Sequence, residues 1–159
     1  MIKRLLKEVK EYKTASILTP IFMIGEVIFE TLIPFIMGLI INNGINGNNG
    51  KGDTNYIVMM GVIMFVFALL GLVAGMGGGI AGAKASTGFA KNLREAMFRN
   101  IQTFSFANID KFSTSGLVTR MTTDVTNVQN AYRMILRMCF RAPFSMICAM
   151  AMAFYISPK

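Results

Sequence analysis

The chain has 159 residues, of which 53% are hydrophobic and only 15% charged. Soluble domains usually carry about 25% charged residues, so the composition excludes an ordinary water-soluble globule. The apolar residues also sit in long blocks, as membrane crossings require. The formal net charge of +8 is read first as membrane topology; with no basic run interleaved with aromatics, no nucleic-acid partner is implied.

There is no histidine, and the two cysteines, Cys139 and Cys148, lie nine residues apart in an apolar segment. They form no metal or redox motif and read as small hydrophobes, with no disulfide or metal site expected. The fourteen methionines suit adaptable packing between helices.

Residues 1–14 read as an amphipathic surface helix. Ile2, Leu5, Leu6, Val9 and Tyr12 recur at helical spacing, and residues 1–13 hold five cations and two acids, as suits anionic head groups. The apolar stretch that follows is too long for a signal peptide and is closed by no small-residue cleavage site, so it reads as an uncleaved anchor.

A first span is predicted over residues 15–41, ~40 Å of helix against a ~30 Å hydrocarbon core. Pro20 lies near its start and Pro34 inside it, where a bend is expected. Glu26 and Glu30 fall one turn apart on one face near mid-membrane. An ionised carboxylate facing lipid there costs roughly 2.5–3.5 kcal/mol, so this face should look into a bundle or a wet cavity. Two readings stay open: hydrogen bonding to a neighbouring helix, or a substrate or cation contact on a translocation path.

Residues 42–55, NNGINGNNGKGDTN, read as an outer loop. GNNGKG fails the P-loop spacing, because Ile45 stands where the first glycine belongs and Gly52 replaces the Ser/Thr. The second span is predicted over residues 55–83. Gly77-x-Gly79-x-x-Gly82 matches a dinucleotide fingerprint, but it lies inside an apolar helical run rather than after a strand. Gly71, Gly75 and Gly79 are expected to line one face for close helix approach.

Beyond Ala83 the helical pattern continues in a polar setting. Phe89, Leu93, Met97, Ile101 and Phe104 form an apolar stripe, with Lys91, Arg94 and Arg99 elsewhere. From Asn55 to Thr103 one helix would extend ~75 Å, placing some 30 Å or more beyond the bilayer. A tip follows, with Asn108 as a cap, a short helix from Ile109 to Ser113, and a turn at Ser113-Thr114-Ser115-Gly116. In the returning helix, Val118, Met121, Val125, Val128, Tyr132 and Ile135 alternate steps of three and four, a coiled-coil-like seam. Arg120 and Asp124 are spaced as an i,i+4 pair. The third span is predicted over residues 138–158, with Pro143 as a kink and Arg133, Arg137 and Arg141 marking the approach.

Five cations lie in residues 1–13 and nine between Lys84 and Arg141, but only Lys51 in the first loop. By the positive-inside rule the N-terminus and the extension over residues 84–137 are cytosolic. The expected fold is therefore all-α: a multi-pass membrane protein with three crossings and long cytosolic extensions.

This order of elements resembles the N-terminal half of the transmembrane domain of an ABC exporter of the six-helix, domain-swapped type. The likeness covers essentially the whole chain. FSFANIDKFSTSGLVTRMTTDVTNVQN is similar to the family's first intracellular loop. There an acidic residue, a cation and a Ser/Thr-Gly turn precede Leu-x-(Ser/Thr)-Arg-x-x-x-Asp, here Asp110, Lys111, Ser115-Gly116, Leu117, Thr119, Arg120 and Asp124. EVIFETLIPFIMGLIINNGI and RMCFRAPFSMI resemble the heterodimeric multidrug branch. Many family members place the turn glycine one residue earlier, at the position of Ser115.

The resemblance implies a coupling helix at Asn108, Ile109, Asp110, Lys111 and Phe112, seated in a nucleotide-binding domain. Ile109 and Phe112 would supply burial, and Asp110 and Lys111 register. It implies export of multidrug or lipophilic substrates at the plasma membrane. It also implies a second half-transporter as partner, a heterodimer or else a homodimer, besides the lipid bilayer and the nucleotide-binding domains. No Walker A, Walker B or signature motif occurs in the 159 residues. ATP and Mg are therefore expected in a separate domain, no cofactor in this chain, and the chain is expected to be part of a longer polypeptide or a truncated product. The alternative reading is a non-transporting membrane scaffold or an inactive fragment.

Overall fold

The computed structural model describes residues 8–45, 52–104 and 113–156. Residues 1–7, the first half of the predicted surface helix, fall outside them. From Glu8 the chain makes a turn and a short 3-10 segment, Lys10–Tyr12, before the first long helix. Lys10 has φ +36°, a left-handed conformation that costs a non-glycine residue roughly 1–2 kcal/mol. That turn breaks the chain direction between Val9 and helix α1.

Helix α1 spans Lys13–Leu39 and contains both Pro20 and Pro34 without interruption. Three of its hydroxyls bond back within the chain's own turn. Ser16 Oγ donates to Tyr12 O, Thr19 Oγ1 to Ala15 O and Thr31 Oγ1 to Val27 O, at 2.9, 2.8 and 2.7 Å. Such back-bonding lets Ser and Thr sit in an apolar helix at little cost. The helix runs on through a wide π turn, Ile40–Ile45.

Helix α2, Thr54–Gln102, has 49 residues, ~74 Å at 1.5 Å per residue. Asp53 caps it, its Oδ1 accepting from the N–H groups of Asn55 and Tyr56 at 3.1 and 3.3 Å, an orphan-donor solution at the helix start. The Asp53 N–H donates to Gly44 O at 3.0 Å, tying the start of α2 to the end of α1. Gly77-x-Gly79-x-x-Gly82 lies wholly within this helix, so no strand-to-helix turn exists for a dinucleotide.

Helix α3, Thr114–Thr119, begins at a Ser113 cap whose Oγ accepts from Gly116 N–H at 3.2 Å. A π turn, Arg120–Asp124, leads into helix α4, Val125–Ile156, with Pro143 inside. The three segments form one continuous rod.

The three rods pack by different means. α1 and α2 are antiparallel and close. A Cβ added to Gly71 would lie 3.6 Å from Phe29 Cβ, one at Gly75 3.1 Å from Glu26 Cδ, and one at Gly82 3.2 Å from Thr19 Cγ2. At Gly78 it would collide with Met23 Cε, and at Gly88 with the Tyr12 ring. The close face is thus Gly71, Gly75, Gly78, Gly82, followed by buried Ala85. Gly79, expected on that face, has nothing within 4 Å of an added Cβ. Four-residue steps advance 400°, so the third member of an every-fourth series has drifted ~80° off the stripe.

α4 runs parallel to α1. Tyr132 meets Ser16 near one end, and Phe35 meets Tyr155 edge-on near the other, with ring centroids 5.9 Å apart. Met23, Val27, Val125, Thr19 and Ser86 are the largest fully buried side chains, with Phe89 almost as deeply buried. Many large apolar groups stay exposed, Val62, Phe65 and Ile80 on α2 and Met146, Ile147 and Phe154 on α4 among them. An outward apolar surface of that extent needs lipid or further helices to cover it. Each rod carries a segment long and apolar enough to cross a membrane.

Candidate functional site

The first site lies in the membrane-level part of the molecule. Glu26 and Glu30 project from one face of α1, as their i,i+4 spacing requires. Arg141 of α4 reaches both: Nη1 donates to Glu26 Oε1 and Nη2 to Glu30 Oε2, each at 2.9 Å. One planar guanidinium thereby clamps two carboxylates with separate nitrogens, geometry that lysine cannot reproduce. α2 makes room with Gly75, whose hydrogen faces the Glu26 carboxyl. The surroundings are unequal. The Glu26 side chain is 20% exposed and that of Glu30 62%, so the Glu26 bond is the better shielded of the two.

An open groove of about 270 Å³ adjoins the clamp, lined by Glu26, Glu30, Ile33, Phe67, Gly71 and Leu72. Phe29 and Phe67 pack beside it, ring centroids 6.0 Å apart. Glu26 Oε2 is buried without a hydrogen-bond partner among the described residues. Two carboxylates face one guanidinium, so the cluster is formally anionic. Sequence reasoning placed the glutamates together but gave Arg141 only an approach to the membrane. Its distance in sequence, 115 and 111 residues from its partners, left no local signal.

The second site is the far part of the rods. Where they leave the apolar zone, Tyr132 is the pivot. Its hydroxyl lies 2.9 Å from Ser16 Oγ, and its ring stacks 4.7 Å from that of Phe89. Beneath it the Tyr12 ring fills the space left by Gly88, and Asn92 Nδ2 donates to Glu8 O at 2.9 Å. Further out, Arg94 of α2 donates to Met121 O and Thr126 Oγ1, at 3.4 and 3.3 Å, and Gln129 Nε2 to Thr87 Oγ1 at 3.4 Å. Arg99 pairs with Glu95 one turn back at 2.7 Å.

The predicted stripe on α2 is the covered face. Phe89 is buried, and Leu93, Met97, Ile101 and Phe104 are half-buried. On the returning rod Val125 is buried and Met121, Val128 and Tyr132 half-buried, but Val118 and Ile135 are 57% and 54% exposed. Leu136 takes the inward place of Ile135. Val118 loses its phase because the π turn at Arg120–Asp124 inserts a wide turn between it and Val125. The same turn replaces the α-helical spacing on which the expected Arg120–Asp124 pairing rested. Near the ends of the rods, Met97, Asn100, Ile101, Phe104, Leu117 and Arg120 line a cleft of about 140 Å³.

The proposed contact residues Asn108, Ile109, Asp110, Lys111 and Phe112 lie outside the described residues. Among the described residues, no group of three or more His, Cys, Asp or Glu side chains is placed to hold a metal ion.

The sequence compares directly with known proteins. Residues 17–159 match the ABC transporter transmembrane region family. The chain is 30% identical over 158 residues, 99% of its length, to the Bacillus subtilis (strain 168) protein named as uncharacterized ABC transporter ATP-binding protein YfiB, and spans 27% of that protein. It is 26% identical over 156 residues, 98% of its length, to Rv1273c of Mycobacterium tuberculosis (strain ATCC 25618 / H37Rv), named likewise, and spans 26% of it. Over 144 residues, 91% of the chain and 24% of the relative, it is 22% identical to the putative ABC transporter ATP-binding protein exp8 of Streptococcus pneumoniae serotype 4. The chain thus spans about a quarter of the length of the curated relatives it matches. All-α, with three helices able to cross a bilayer and a family match over nearly its whole length, it is a membrane protein belonging to the ABC transporter transmembrane region family.

Proposed function

We propose that this chain is the membrane-spanning lever of an ATP-driven exporter of lipophilic, multidrug-type compounds. ATP and Mg are bound by a nucleotide-binding domain, and residues 108–112 form the coupling helix that this domain grips. One observation carries the reading: α2 is 49 residues long, about 74 Å against a hydrocarbon core of about 30 Å. The returning rod is held to its far part by the Arg94 and Gln129 hydrogen bonds. A single helix that long would bend. Two helices joined by side-chain contacts move as one element and transmit displacement.

The cation asymmetry supports a cytosolic N-terminus and a cytosolic extension; the plasma membrane is the location that the family resemblance implies. A second half-transporter completes the pathway, and sequence resemblance favours a paralogue over an identical copy. In this reading Glu26 and Glu30 border the substrate path from their groove, with Arg141 as resident counter-ion. Phe67, Ile33 and Leu72 give the groove an apolar wall, which suits lipophilic compounds.

The test is made in the assembled transporter in proteoliposomes. Replacing Ile109 and Phe112 with Ser should leave basal ATP hydrolysis within about twofold of wild type and reduce transport at least tenfold. Full transport with normal substrate stimulation of hydrolysis would remove residues 108–112 from the coupling role.

A further inference from the structure

α4 carries arginines at positions 133, 137 and 141, each about one turn from the next. They are not equivalent. Arg141, the deepest, is neutralised by Glu26 and Glu30. Among the described residues, neither Arg133 nor Arg137 meets a carboxylate. With Asn130, Met134, Met138 and Arg141 they line an open groove of about 470 Å³. Arg133 is exposed, and the Arg137 stem lies over α2, with Cγ 3.9 Å from a Cβ built on Gly82.

The helix register sets the depth of this groove. From Lys13 to Ile41 the first rod covers ~42 Å, close to the full thickness of a bilayer with its head groups. Tyr132 stands beside Ser16, so Arg133 lies ~6 Å inward of Lys13 and Arg137 ~6 Å deeper. Gly82 stands beside Thr19, which puts Lys84 at the level of Arg133. Lys13 and Lys84 are both exposed. Lys84 of α2 and Arg133 of α4 thus share one height, with Lys13 of α1 one turn further out, a level that a bilayer spanned by α1 places between head groups and acyl chains. A charge at mid-membrane needs a protein partner, which Arg141 has. Cations near the interface keep their heads at head-group level.

We propose that Arg133 and Arg137 form a binding site for the phosphate of an anionic phospholipid in the leaflet that holds the N-terminal end of α1. Two guanidinium groups one turn apart converge on one phosphate, each offering a fork of donors. Met134 and Met138 lie alongside them to receive the first methylenes of the acyl chains. The site needs only the membrane placement of the rods and is independent of the exporter reading and of which leaflet is cytosolic.

The experiment measures lipid retention by native mass spectrometry of the assembled transporter in detergent, with phosphatidylglycerol or phosphatidylcholine added at equal concentration. Arg133→Gln with Arg137→Gln should lower phosphatidylglycerol retention about tenfold and leave phosphatidylcholine unchanged. The double Lys variant should retain more phosphatidylglycerol than the double Gln variant, which separates lost charge from lost fold. Lys91→Gln, removing a cation further along α2, should change nothing. Undiminished phosphatidylglycerol retention by the double Gln variant overturns the proposal, as does equal loss of both lipids. Displacement of phosphatidylglycerol by millimolar inorganic phosphate would overturn the lipid as occupant.

Discussion

The contact between α1 and α2 and the contact between α1 and α4 hold the same rod by opposite means. The first is a seam of small residues, Gly71, Gly75, Gly78, Gly82 and Ala85, on which Phe29, Glu26, Met23 and Thr19 sit almost against backbone. The second rests on polar clasps, the Ser16–Tyr132 hydrogen bond and the Arg141 clamp, between helices whose other faces stay exposed. In a lipid environment apolar burial does not separate helix from helix, so dispersion at close range and hydrogen bonds must do the work. Close packing is unforgiving and keeps one geometry; a clasp can open and re-form. The α1–α2 contact is therefore the stiffer of the two that α1 makes.

The sharpest way to break this contrast is Gly88→Leu. Its side chain would enter the space held by the Tyr12 ring, and overpacking of this kind costs roughly 1–3 kcal/mol, with Leu at the upper end. Denaturant unfolding in detergent should show it, with loss of α1–α2 cross-linking before loss of helicity.

A smaller effect is expected at the clamp. A double-mutant cycle of Arg141→Met with Glu26→Gln should give a coupling of about 1–2 kcal/mol. The same cycle with Glu30→Gln should stay below about 1 kcal/mol, because that carboxylate is mostly exposed. Equal couplings would mean that solvent reaches both carboxylates alike. Tyr132→Phe removes one hydroxyl bond and should cost about 1 kcal/mol while leaving the Phe89 stacking intact. Gly79→Ala is the control at the other extreme. With nothing within 4 Å of the added Cβ, it should stabilise α2 by up to about 1 kcal/mol through helix propensity alone.

Periodicity made much of this fold legible. The apolar stripe of Phe89, Leu93, Met97 and Ile101 is covered, from buried Phe89 to half-buried Leu93, Met97 and Ile101, although steps of four drift around the helix. Periodicity failed where phase drifts or resets. The glycine face follows 71, 75, 78 and 82 and leaves out Gly79, since close approach obeys the helix repeat and not a fixed interval of four. Val118 lies on the far side of a π turn that no residue in RMTTD announces. Leu136 and Ile135 were equally good continuations from Tyr132, and only the neighbouring helices decide between them. Of the candidate site, the carboxylate pair was visible and its counter-ion was not, because pairing across 115 residues is fixed by how the rods align.

The central claim is a stiff lever, and the length of α2 tests it most directly. Spin labels at Asn55 and Gln102, on a background with Cys139 and Cys148 replaced by Ser, report one distance by pulsed electron resonance in nanodiscs. An unbroken helix between them predicts about 70 Å, with the Gln102 label open to water-soluble relaxation agents and the Asn55 label close to the opposite bilayer surface. A distribution centred below about 50 Å would mean that α2 folds back on itself, and the lever account would fail with it.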